Sequence, residues 1–142
     1  MKTKDFITKY AYQMLADTPP TGEKWCASVG YMDGKLYSYG RHYPLLWKVT
    51  TPNGRNVLVC NRAGYSNTTA KHISWCHGVA DVYVRGIGNI GDLDCDEVKT
   101  RLHIEIGALV AEHAGLKRKN TKKAERMLAD IEQLNGFLEK LD

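Results

Sequence analysis

The sequence predicts an α+β fold: an antiparallel sheet of four to five strands flanked by an N-terminal helix, a central helix and a C-terminal helical hairpin. Three observations carry this. Apolar residues recur every three or four positions near both ends of the chain, the period of a helix with one buried face. Between Trp25 and Asn61 the period falls to two, the alternation of a strand, and Asp33-Gly34 and Pro52-Asn53-Gly54 punctuate it as turns. At 142 residues, 43% hydrophobic and 25% charged, the chain suits a single domain with one core. Within it, residues 1–116 form the α+β body, and 117–142 a basic link and last helix.

Residues 4–16 read as the first helix, with Phe6, Ile7, Tyr10, Ala11 and Met14 as its stripe and Thr3 as its cap. Asp17-Thr18-Pro19-Pro20 stops it. Trp25 to Tyr31 reads as one strand and Lys35 to Gly40 as its hairpin partner across Asp33-Gly34. Leu45 to Thr50 and Asn56 to Cys60 follow as a second hairpin. Ser66 is placed to cap a helix over 67–78, ended by Gly78. Val82 to Arg85 reads as a short fifth strand, followed by a flexible link with Gly86, Gly88 and Gly91. Asp94 or Asp96 opens a helix to about residue 114, with Val98, Leu102, Ile106, Leu109 and Val110 on its buried side. The last helix starts near Thr121 and carries a seam of Ala124, Met127, Ile131, Leu134, Leu138 and Leu141. Packing on its own domain accounts for that seam; a homodimer through the last helix is the alternative. Trp25, Trp47 and Trp75 are expected to fill the core.

Bulk properties exclude several classes. No apolar run approaches the ~20 residues that cross a bilayer. The N-terminus leads into an amphipathic segment rather than a signal-peptide core, so a cytoplasmic protein is expected. A net charge of +4 is mildly basic, and attraction to phosphate needs a local cluster. The four cysteines, Cys26, Cys60, Cys76 and Cys95, form no Cys-x-x-Cys pair and are expected as reduced, buried thiols.

Polar chemistry concentrates after the fourth strand. Asn61, Tyr65, Ser66, Thr68, Thr69, Lys71 and His72 all donate or accept hydrogen bonds within twelve residues. Together with free amides at a helix start, the hydroxyls of Ser66, Thr68 and Thr69 and the cationic Lys71 and His72 suit an anion. Local capping by Ser66, with Lys71 solvated, explains the same residues. For catalysis, His72 or His77 would serve as general base to Ser66, Ser74 or a cysteine, but no nucleophile elbow or paired acid accompanies them. His72 and Cys76 stand four apart, and Cys26, Cys60 or His42 could complete a tetrahedral site, yet the spacing matches no zinc pattern. Neither metal nor cofactor is expected.

Leu36-Tyr37-Ser38-Tyr39-Gly40, with His42 just after, is followed by Asn61-x-x-x-Tyr65-Ser66-x-Thr68-Thr69-x-Lys71-His72. This combination, over about residues 25–77, resembles a group of small proteins from bacteriophages and other mobile elements that carry a Tyr-Ser-x-Thr-Thr-x-Lys-His signature. The resemblance implies no particular activity. Small mobile-element proteins of this size include inhibitors of host defence, anti-CRISPR proteins among them. The functional expectation is therefore a non-enzymatic binding protein whose partner is a host defence protein such as a CRISPR nuclease. Its surface would draw on Tyr37, Tyr39, His42 and the Tyr65–His72 turn, or on the link formed by Lys117, Arg118, Lys119, Lys122 and Lys123. Five charges in seven residues, with Tyr37, Tyr39 and Tyr43 to stack on bases, make a nucleic-acid-binding accessory protein the alternative.

Overall fold

The computed structural model describes residues 1–40, 43–63, 67–85 and 93–142. In chain order it runs α1 (Thr3–Met14), β1 (Glu23–Cys26), β2 (Val29–Met32), β3 (Lys35–Ser38), β4 (Pro44–Thr50), β5 (Asn56–Asn61), α2 (Asn67–Trp75), β6 (Val82–Val84), α3 (Cys95–Ala114) and α4 (Lys122–Lys140). The fold is α+β, with helices at the N-terminus, in the centre and as a C-terminal pair. The sheet has six strands rather than four or five, in the order β1-β2-β3-β4-β5-β6, and it is mixed. Five strands form an antiparallel meander; β6 lies parallel to β5, with Asn61 opposite Val84. The parallel pair follows from α2, which carries the chain back across the sheet before β6 starts.

The extra strand comes from the first one predicted. Trp25 to Tyr31 is not continuous: Ala27 takes a left-handed conformation (φ 53°), and Cys26 pairs with Val29 across a two-residue turn. The apolar alternation runs through that turn unbroken, which hid it. Trp25 consequently lies on an edge strand, 42% exposed, instead of in the core. Its indole lies across Gly30, where an added Cβ would sit 2.5 Å from the ring, so a side chain at residue 30 requires the indole to move. The next turn is as expected, with Asp33 (φ 47°) and Gly34 (φ 88°) both at positive φ.

Strand alternation divides the apolar residues between two faces. One face, with Val29, Tyr31, Leu36, Leu46, Leu58 and Cys60, packs against Phe6, Ile7, Tyr10, Ala11 and Met14 of α1 and against Cys76. The other, with Trp47, Val49, Val57, Val59, Val82 and Val84, packs against Val98 and Leu102 of α3 and Leu134, Phe137 and Leu141. A register shift between Leu36 and Tyr37 accompanies the entry of both Leu45 and Leu46 into the first core. Trp47 is buried and its Nε1 donates to the Leu93 carbonyl, while Trp75 is half-buried. The four cysteines are free thiols, and three are buried.

Helix ends follow local chemistry at α3 and α4, but α2 stops at Trp75, short of the expected end at Gly78, and residues 76–79 form a turn. Asp94 caps α3 through a full capping box with Glu97, and the Thr121 hydroxyl caps α4. At α1, however, Lys2 is the cap residue and Thr3 lies inside the helix, its hydroxyl 3.9 Å from Cys26 Sγ. The proposed Ser66 cap and the glycine link at Gly86, Gly88 and Gly91 lie outside the described residues. Around the start of the helix that follows the glycines stand Asp94, Asp96 and Glu97; Asp94 accepts from the Glu97 amide, and the three carboxylates oppose an anion there. The antiparallel α3–α4 pair is bridged at its two ends by the ion pairs Lys123–Glu112 (3.8 Å) and Lys99–Asp142 (3.2 Å). Ile106 and Leu109 are only half-buried and Val110 is exposed, because past Leu102 no residue of α3 is buried. On α4, Ile131 and Leu138 are half-buried, and Phe137, outside the expected seam, takes a core position beside Tyr83.

Candidate functional site

Two of the signature residues, Thr69 and His72, meet Ser38 where α2 packs on the first face of the sheet. Asn61 ends β5 and is fully used there: its Nδ2 donates to the Pro44 carbonyl and its Oδ1 accepts from the Ala63 amide. The single Tyr43 O–H proton donates to the Ala63 carbonyl, with the Asn61 carbonyl 3.2 Å from the same oxygen. These bonds fix how the chain leaves the sheet toward α2.

Thr69 and His72 of α2, and Cys76 just past its end, recur at three- and four-residue spacing and face inward. His72 is 2% exposed, with Nδ1 2.7 Å from Ser38 Oγ and Nε2 3.4 Å from Ser28 Oγ. Thr69 Oγ1 lies 3.1 Å from the same Ser38 hydroxyl. Ser38, Thr69 and His72 thus form a buried polar knot between β3 and α2. A neutral imidazole has one donor and one acceptor nitrogen, and hydroxyls supply either role, so the knot is satisfied without charge. Burial pushes the His72 pKa below its ordinary value, which favours that neutral form.

Above the knot sits an aromatic rim. The rings of Tyr39 and Trp75 lie 6.2 and 5.7 Å from the imidazole. Tyr39 has φ 58°, which turns it out of the alternation of β3, and its amide donates to the Ser28 carbonyl. The ring therefore ends beside His72, 44% exposed. Lys71, one position from His72, points away from the knot and is exposed, and Thr68 is half-buried.

The structure separates residues that the sequence reading grouped. Thr69 and His72 face the interior, so they do not combine with Lys71 around an anion. Tyr37 is half-buried in β3, opposite Gly30. His42, Tyr65 and Ser66 lie outside the described residues. In the basic link, the Lys119 ammonium donates to the carbonyls of His113, Ala114 and Leu116, closing the end of α3, and Lys123 pairs with Glu112. Lys117, Arg118 and Lys122 remain on the surface. As for bases, His72 meets Ser28 and Ser38, and His77 Nδ1 lies 3.0 Å from the Tyr83 hydroxyl; a pairing with Ser66 lies outside the described residues. Among the described residues, no three His, Cys, Asp or Glu side chains are placed to hold a metal ion. No described helix is long and apolar enough to cross a membrane.

Sequence reasoning missed Ser28 and Ser38 as the partners of His72, because they lie 44 and 34 residues away. No family model matches the chain, and neither a curated protein nor a solved structure is significantly similar to it.

Proposed function

We propose that this chain acts by binding a protein partner stoichiometrically, and that the partner is a host defence nuclease of the CRISPR type. The observation that supports binding over turnover is the position of His72. Its ring is sealed from solvent by Ser38 and α2, so a substrate has no path to the base, while Tyr39 and Lys71 above it face outward. Tyrosine contributes large contact area at low entropic cost, and a neighbouring cation adds orientation. The choice of a defence nuclease rests on the resemblance of the Tyr37–His72 region to mobile-element proteins.

The test is a titration of the nuclease with the full chain. Inhibition should saturate near one equivalent, with the two proteins co-eluting on gel filtration. Replacing Tyr39 by Ala together with Lys71→Glu should weaken the complex about tenfold or more while leaving the fold intact, since both side chains are exposed. Inhibition at a small fraction of an equivalent, or failure to co-elute, would overturn the reading.

A further inference from the structure

A cleft of about 490 Å3 opens where the parallel strand pair ends. Arg62 follows β5 and Arg85 follows β6; the bond from the Arg62 amide to the Val84 carbonyl sets them side by side on the strand wall. The helical wall presents Glu105 and Glu112 of α3 and Asp130 of α4, with Leu109 between. The Arg62 guanidinium pairs with Glu105 through Nη2 and Oε1. That pair is incomplete: Arg62 Nε and Glu105 Oε2 are both buried and unbonded. One is an unused donor and the other an unused acceptor, in the same cleft. Buried polar atoms are rarely left so, and each is costly until a partner arrives.

The lining decides what kind of partner. Two guanidinium groups stand against three carboxylates. A bare anion such as phosphate meets a net negative wall, and a bare cation leaves the Arg62 Nε donor unmatched. A ligand with a carboxylate at one end and an ammonium at the other matches the charge of both walls. The location suits such a ligand, since crevices outside the carboxyl ends of strands form where sheet connectivity changes, here from meander to crossover.

We infer that this cleft binds a small zwitterion of the free α-amino acid class, its carboxylate held by Arg62 and Arg85 and its ammonium by Glu105 and Asp130. The site is distinct from the rim at Tyr39 and stands whether or not a protein partner docks there.

Nitrogen-15-labelled full-length chain would be titrated with each free L-amino acid, with acetate, and with methylammonium. At least one amino acid should saturably shift the amide signals of residues 62, 85, 105–112 and 130. Arg85→Ala and Asp130→Asn should each weaken that binding about tenfold or more. Arg85 is exposed, so its replacement leaves the fold to report on the cleft. The inference is overturned if no amino acid shifts these signals, if acetate or methylammonium alone binds as tightly, or if either variant keeps full affinity.

Discussion

His72 keeps a titratable ring where water does not reach, and this makes it a stability determinant. Its pKa is lowered by burial, so between its folded value and the ordinary 6.5 the unfolded chain binds more protons than the folded one. Its contribution is therefore complete above pH 6.5 and declines as pH falls from there through the folded value. Urea denaturation of His72→Gln should show a flatter loss between pH 6.5 and 5 than the parent does. Ser38→Ala, which leaves the His72 and Thr69 atoms short of a shared partner, should cost about 1–3 kcal/mol at pH 7 by the same measurement. The density of hydrogen-bonding groups around Thr69 and His72 was visible in the sequence. Their direction was not, because helical spacing places Thr69 and His72 on one face without saying whether that face meets water or Ser38.

Elements were legible where local chemistry dictates them. The sequence left Asp94 or Asp96 to open α3 and the structure chooses Asp94, with Glu97 completing the box, while Asp33-Gly34 marks its hairpin turn. Asp94→Ala removes the capping box and should lower stability by about 1 kcal/mol in urea melts. The turn at Ala27-Ser28 was illegible because neither residue is among those that usually adopt positive φ, and the pairing of β1 with β2 enforces it instead. That pairing also explains Trp25. Placing Ala at Gly30 should drive the indole off the strand, and the Trp25 ring-proton signals in an NMR spectrum should move toward exposed values. The parallel placement of β6 likewise needs tertiary information, since three residues of strand pattern do not specify direction.

Over the whole molecule, one sheet serves two cores. Leu134 and Ile7 lie on opposite sides of it, and the strands between contribute side chains to both. Leu134→Ala and Ile7→Ala should each cost about 2–5 kcal/mol and still give a single unfolding transition by far-UV circular dichroism. Two separate transitions would mean that the faces fold independently. The seam of the last helix was legible at Leu134 and Leu141, whereas Phe137 was not, because the core it meets on β5 and β6 is wider than a heptad stripe. Sheet order also has a kinetic side. The first five strands join through neighbours along the chain, so they can zip with little loop-closure entropy, whereas β6 must wait for about twenty intervening residues to be spanned. A nascent chain would thus complete its ribbon before its final edge, and the recess walled by Arg62 and Arg85 could not exist until that edge had joined and the helices behind it had docked.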